Sequence, residues 1–119
     1  MGIRVRTATI AINAALSDAH YLSESSVSAE NVDTLVGIQM SAGWTAAGIG
    51  LQVSTDGVTY QPLYDGATRR SLVVVAAQFQ ALDPVSLKGI LYLKVLSETA
   101  GVEVNQLAAR ALGLVFRTE

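Results

Sequence analysis

Few side chains in this sequence could do nucleophilic or metal chemistry, because it contains one histidine and no cysteine. His20 could act as a base only beside a serine or threonine nucleophile, and no Gly-x-Ser-x-Gly turn is present to carry one. A zinc site built from histidine and cysteine ligands is excluded. Asp56 and Asp65 could bind calcium with backbone carbonyls, but their spacing matches no EF-hand loop. Each precedes a glycine, which is typical of a turn.

The other routes to catalysis lack their parts as well. The acidic residues are dispersed over predicted turns, so no two carboxylates share a strand face as in a glycosidase. Gly48 and Gly50 open no predicted helix, which a dinucleotide fingerprint requires. We therefore expect a non-enzyme with no catalytic residue, no metal ligand and no cofactor. Trp44, Tyr60 and Tyr64 remain as candidate ligand or partner contacts, although a lone tryptophan can equally cap a core.

Composition points to a single domain over residues 1–119 that contacts other proteins. Half of the residues are hydrophobic and only 15% are charged, against about a quarter in typical soluble domains. So few charges indicate that part of the surface is buried against another chain. A net charge of -2 argues against nucleic-acid binding. No apolar run reaches the length of a membrane helix, so we expect no membrane association.

The stretch from Val36 to Tyr64 organises the predicted fold. Ile49, Leu51 and Val53 alternate with smaller or more polar residues, as in a strand covered on one side. Asp56-Gly57 then predicts a tight hairpin turn, and the alternation of Val58 and Tyr60 with Thr59 and Gln61 predicts the returning strand.

Further strands are predicted on both sides of this hairpin. Residues 1–12 form a β-branched run whose apolar parity changes near Ala8, which indicates a bulge or a crossing between sheets. That run could be an edge strand or an arm that pairs with a neighbouring subunit. The other segments are a polar surface loop or short edge strand over 23–33, an alternating strand with Val36, Ile38 and Met40 on one side, and strands over 72–77, 90–97 and 111–117.

The segment over 72–77 is continuously apolar and predicts a strand buried on both faces or one facing a partner chain. In total the turn signals separate about eight or nine mostly antiparallel strands, and no helical periodicity is sustained. This pattern is typical of an all-β fold, a single β-sandwich of jelly-roll-like form.

Residues 44–63 resemble small β-sandwich or jelly-roll virion proteins of tailed phages and prophages. In these, a Trp-x-x-Ala loop beginning at a residue such as Trp44 leads to a strand ending in Ser-x-Asp-Gly, here Ser54 to Gly57, followed by an aromatic residue and a Pro-Leu pair. Residues 89–97 and 104–112 also resemble that pattern, so the likeness covers roughly 34–117.

The resemblance implies a capsid-decoration protein or a head-spike or fibre-base component. Such a protein is made in the host cytoplasm, resides in the virion, and contacts capsid, fibre or tail proteins and its own copies, for example as a trimer. The family offers no catalytic residues to carry over.

The Ser-x-Asp-Gly piece with its following aromatic residue also recurs in discoidin-like carbohydrate-binding sandwiches. A carbohydrate-binding module is therefore the alternative function. It would use Trp44, Tyr60 and Tyr64 as stacking surfaces.

Overall fold

Antiparallel strands form nearly all of the regular structure in the computed structural model, which describes residues 2–22, 33–65, 67–82, 87 and 90–118. The predicted surface loop or edge strand over 23–33 lies outside these residues except for Asp33. The strands are β1 Gly2–Ile10, β2 His20–Tyr21, β3 Thr34–Gln39, β4 Gly48–Ser54, β5 Gln61–Pro62, β6 Tyr64–Asp65, β7 Thr68–Arg69, β8 Ser71–Leu72, β9 Phe79–Ala81, β10 Tyr92–Thr99, β11 Val102–Glu103 and β12 Arg110–Thr118.

Two sheets pack face to face over one hydrophobic core. The first has the order β1-β12-β3-β9, and the second has the order β11-β10-β4-β5, with β2 beside β10 and β8 beside β4. Leucine, isoleucine, valine and phenylalanine side chains from both sheets fill the space between them. The predicted all-β sandwich of mostly antiparallel strands is confirmed. It has more strands than the eight or nine predicted. The increase comes from short strands between β4 and β9: β5 and β8 both pair with β4, and the β6–β7 hairpin lies between β5 and β8 in the chain.

The last strand shows how the alternating pattern specifies the core. Leu112, Leu114 and Phe116 are fully buried, as predicted, and β12 occupies a central place between β1 and β3. A one-residue slip of this strand would expose all three side chains, so the apolar alternation fixes its register.

Strand β1 is an edge strand that pairs with β12 without interruption from Gly2 to Ile10. The predicted bulge near Ala8 is absent from it. Ala8 and Ile10 face the core, so the inward positions before them belong to Arg4 and Arg6, and Ile3 and Val5 point away from the core. The apolar residues of β1 therefore lie on the outward face before Ala8 and on the core face from Ala8 onward.

A bulge occurs in β3 instead. Phe116 pairs with Leu35 and Val115 pairs with Gly37, which leaves Val36 as the extra residue. The core positions are consequently Leu35, Ile38 and Met40, and Val36 is only half-buried. Ile38 and Met40 face the core as predicted, but the prediction that Val36 lies on the same side was wrong because of this extra residue.

The central hairpin forms, but its turn is wider than predicted. Val53 pairs with Gln61, and a loop over 55–60 separates β4 from β5. The returning strand therefore begins at Gln61, and its predicted start at Val58 was wrong. The Asp56 carboxylate accepts hydrogen bonds from the Val58 and Thr59 N–H groups at 2.8 and 2.9 Å. These two N–H groups are therefore bound within the turn, whereas in a tight hairpin they would belong to the returning strand.

These hydrogen bonds lower the pKa of Asp56 from 3.8 to about 2, the bond from Val58 having the largest effect. Because the folded pKa lies below the unfolded value, the carboxylate's contribution to stability is present above pH 3.8 and is lost as the pH falls through about 2. We expect the difference in unfolding free energy between wild type and Asp56→Ala to narrow over that interval. Urea unfolding at a series of pH values measures it, and a difference independent of pH would contradict the prediction.

The apolar run over 72–77 is not a buried strand. Only Leu72 belongs to a strand, and the following residues alternate between exposed Val73 and Val75 and half-buried Val74 and Ala76. The chain passes here from the second sheet to the first, and Ala77 adopts a positive φ of 66°. A crossing between sheets packs one side of the chain on the core and leaves the other side exposed.

Candidate interaction surface

The face of the first sheet that points away from the core carries several exposed apolar side chains, together with the polar Thr7 and Gln39. The strand register places Val5, Val115, Gly37 and Ala81 in one row across all four strands. Phe79 is 51% exposed, and Ile3 and Val5 are 68% and 63% exposed. We call this surface the outer face and define it by Ile3, Val5, Gly37, Phe79, Gly113 and Val115.

Two glycines keep the outer face flat. The Phe79 ring lies over Gly37 and occupies the space in which a side chain at residue 37 would stand. A side chain at Gly113 would contact Gln39 on one side and Val5 on the other. Without side chains at these positions, the Phe79 ring can pack over residue 37, and Val5 and Gln39 stand on the two sides of residue 113.

Antiparallel sandwiches usually turn polar residues outward, so this face departs from the common pattern. The charged residue beside it is Arg117, which pairs with Ile3 at one end. Exposed apolar surface is typical of sites that contact another macromolecule, so the outer face is the candidate interaction surface. The parity change in the sequence around Ala8 is the signal that could have located it.

The three predicted contact residues do not form one site. Trp44 is buried in the core, and its Nε1 donates a hydrogen bond to the Ala47 carbonyl at 3.1 Å. This burial fits the alternative in which Trp44 caps the core, and its role as a ligand or partner contact stays a prediction. Tyr64 is exposed on β6, in the small β6–β7 hairpin.

Tyr60 belongs to an aromatic cluster on the second sheet that the sequence did not reveal. Tyr21 and Tyr92 stack with ring centroids 4.8 Å apart, and the Lys94 ammonium lies 4.5 Å above the Tyr60 ring. Burial raises the pKa of Tyr60, and the neighbouring Tyr92 adds to that rise. The pairing of β2 with β10 brings Tyr21 to Tyr92, and no sequence pattern connects two such distant residues.

A buried ion pair lies on the second sheet. Glu98 is fully buried on β10, and the Arg69 Nη2 donates a hydrogen bond to its Oε2 at 2.6 Å. That hydrogen bond is the main cause that raises the pKa of Arg69. A mostly apolar cavity of about 430 Å³ lies beside Glu98, and Gly48, Leu72 and Val74 are among its lining residues.

The carboxyl of Glu98 also depends on the absence of a side chain at Gly50. A β-carbon at residue 50 would stand 2.6 to 2.8 Å from the carboxyl atoms, which Arg69 holds in place. We expect Gly50→Ala to lower the free energy of unfolding by about 1–3 kcal/mol, as overpacking does.

Gly37→Ala is the matched control, because the half-exposed Phe79 ring can swing away from residue 37. Its cost should stay within about 1 kcal/mol. Urea unfolding of both variants checks the prediction, and equal losses would contradict it.

His20 is buried, and its Nε2 lies 3.3 Å from Asp18 Oδ1. Within the described ranges no group of three or more histidine, cysteine, aspartate or glutamate side chains could hold a metal ion. Nor does that part of the chain include a helix long and apolar enough to cross a membrane.

Comparison of the chain with protein-family models, curated proteins and solved structures found no match.

Proposed function

We propose that this protein is a non-enzymatic structural component of a phage virion, a capsid-decoration or head-spike or fibre-base protein. It acts through protein–protein contacts with other virion proteins and with its own copies, as a homo-oligomer such as a trimer. It is made in the host cytoplasm and incorporated into the particle. The likeness of residues 44–63 to such proteins supports the virion assignment.

The observation that carries the contact function is the outer face. Covering its exposed apolar side chains with another protein lowers the free energy of the complex, in proportion to the apolar area removed from water. Four strands and the length from Ile3 to Thr9 give this face roughly 400 Å². A standard interface buries about 800 Å² on each partner, so the outer face provides about half of one.

Light scattering coupled to size-exclusion chromatography tests the contact function. Val5→Glu places a charge on the outer face, whereas Val102→Glu makes the same change at an equally exposed valine, 68% against 63%, on β11 of the other sheet. We expect oligomers for wild type and Val102→Glu and monomers for Val5→Glu. A wild type that stays monomeric at every concentration would overturn the self-association. Mass spectrometry of purified particles from the phage or prophage that carries the coding sequence tests the virion assignment, which the absence of the chain would refute.

Carbohydrate binding is the second candidate, and the aromatic cluster favours it. Tyr21 is 39% exposed and stacks on Tyr92, so one of its ring faces could receive a sugar. In this case the site would be formed by Tyr21, Tyr60 and Tyr92, without Trp44. A glycan array with wild type and Tyr21→Ala tests it, and a wild type that binds no glycan would exclude it.

A further inference from the structure

The direction of the backbone groups along β1 follows from a single residue. The Thr9 N–H donates to Asp18 Oδ1 at 2.8 Å, and the Thr9 carbonyl accepts from the Asp18 N–H at 3.2 Å. Both groups therefore point away from β12. In an antiparallel ladder the two backbone groups of one residue point the same way and alternate along the strand. Because the β1–β12 register is uninterrupted, Ile3, Val5 and Thr7 also direct their N–H and C=O groups away from β12.

Among the described residues, this outward edge is covered at one end and has no paired strand at the other. Ser17 and Asp18 occupy it next to Thr9 and Ile10. From Ile3 to Thr7, no strand within the described ranges pairs with it. Three N–H groups and three carbonyls thus form a template about as long as a typical short strand.

The side chains of this open edge differ between its two sides. Ile3 and Val5 point to the outer face, so a strand added here would extend the apolar surface by one more row. Arg4 and Arg6 point to the opposite side. The Arg6 Nη2 lies 3.5 Å from Asp33 Oδ2, and the Arg6 guanidinium carbon lies 5.6 Å from the centre of the Phe116 ring. Arg4 is exposed, and no ion pair engages it among the residues that the structure describes.

We infer that the open edge of β1 receives an extended segment of a partner protein in which apolar and acidic side chains alternate. The inference rests on the proposed function and specifies how a virion partner is bound. The segment's backbone completes the hydrogen bonds of Ile3, Val5 and Thr7, as in other cases of strand addition. Its apolar side chains continue the outer face, and its acidic side chain lies opposite Arg4.

Charge selects this occupant over a second copy of β1. Antiparallel self-pairing centred on Val5 would put Arg4 of each copy opposite Arg6 of the other. Like charges directly opposite each other destabilise a pair of strands. An acidic partner segment instead gains a cross-strand ion pair at the same position. It also contributes contact area beyond the roughly 400 Å² of the outer face, which alone falls short of a standard interface.

The probe is a synthetic peptide of alternating valine and glutamate, about seven residues long, with a lysine-for-glutamate peptide as its counterpart. Fluorescence anisotropy measures the affinity, and amide hydrogen exchange locates the binding. In the free protein the amides of Ile3, Val5 and Thr7 should exchange quickly, and the glutamate peptide should slow them. Arg4→Glu should weaken binding of the glutamate peptide about tenfold and reverse the preference towards the lysine peptide.

Val5→Pro separates the backbone contribution from the side-chain contribution. Its missing N–H points away from β12, so proline removes no hydrogen bond of the existing ladder. We expect it to weaken peptide binding about tenfold or more relative to Val5→Ala, which keeps the N–H. Slow exchange of the three amides in the free protein, equal binding by the two Val5 variants, or binding that is indifferent to peptide charge would each overturn the inference. Pairing of two β1 edges, seen as slowed amides in wild type at high concentration without peptide, would replace it by self-association.

The inference about the edge of β1 can be wrong while the proposed function is correct. If Val5→Glu abolishes oligomers while Val5→Pro leaves them intact and binds peptide as Val5→Ala does, the outer face makes contacts and the edge does not. If neither variant affects oligomers and wild type binds no peptide, both the contact function of the outer face and the inference about the edge are overturned.

Discussion

Arg69→Met should lower the free energy of unfolding by about 3–5 kcal/mol, because it leaves a charged group in the protein interior without its partner. Glu98 has no exposed side-chain surface, and the Arg69 guanidinium is its only ion-pair partner in the described part of the chain. Its Oε1 already lacks a hydrogen bond among those residues, so loss of Arg69 would leave both carboxylate oxygens unpaired. Urea or thermal unfolding measures the loss.

The neighbouring arginine provides the control. Arg70 is half-buried like Arg69, but it forms no ion pair within the described ranges. Arg70→Met removes the same charge and should cost less than about 1 kcal/mol. The double variant Arg69→Met with Glu98→Gln removes both charges and should recover much of the loss, since a buried pair is costly mainly when it is broken. Equal losses for Arg69→Met and Arg70→Met would show that the Glu98 carboxylate does not depend on Arg69.

The strands that could be predicted from the sequence are those with a strict two-residue alternation. Leu112, Leu114 and Phe116 face the core as expected, and so do Ile49 and Leu51. In such segments the burial of one face decides both the secondary structure and the register. The sandwich class follows from these segments and from the turns between them.

The details that the sequence did not reveal depend on which strands become neighbours. β3 has one residue more than β12 requires, and only the observed pairing shows that the extra residue is Val36. The apolar run after Leu72 predicted a buried strand, because composition alone cannot distinguish a strand from a crossing that packs on one side. Tyr21 and Tyr92 meet through β2 and β10, a pairing set by tertiary structure.

The candidate interaction surface was only half visible in the sequence. The low charge content predicted that some apolar surface is available to a partner, but it gave no location. Aromatic residues drew attention to Trp44, which is buried in the core, whereas three of the exposed apolar side chains, Ile3, Val5 and Phe79, lie on the outer face. They lie on one face because β1 pairs with β12, β12 pairs with β3, and β3 pairs with β9. The pairing of β1 with β12 places the first and last strands side by side in one sheet.

Gln106 joins the loops at one end of the sandwich. Its side chain is fully buried, and its Oε1 accepts hydrogen bonds from the Thr45 N–H at 2.8 Å and from Arg110 Nε at 3.2 Å. Its Nε2 donates to the Thr45 carbonyl at 3.2 Å and to Ser97 Oγ at 2.9 Å. One side chain therefore satisfies polar groups from three separate segments.

Gln106→Leu should lower the free energy of unfolding by about 2–4 kcal/mol, because leucine is of similar size but leaves several of these partners without a hydrogen bond. The cost of a stranded buried polar group exceeds the net gain of a typical hydrogen bond, so the loss comes mainly from the Thr45 backbone and the fully buried Ser97 hydroxyl. Urea unfolding measures it. Gln80→Leu is the control, because the Gln80 amide donates only to the neighbouring Ala81 carbonyl at an exposed site where water can replace it. A loss for Gln106→Leu no larger than for Gln80→Leu would mean that water reaches this end of the sandwich, and the loops would then be held by their other hydrogen bonds, including those to Thr45 Oγ1.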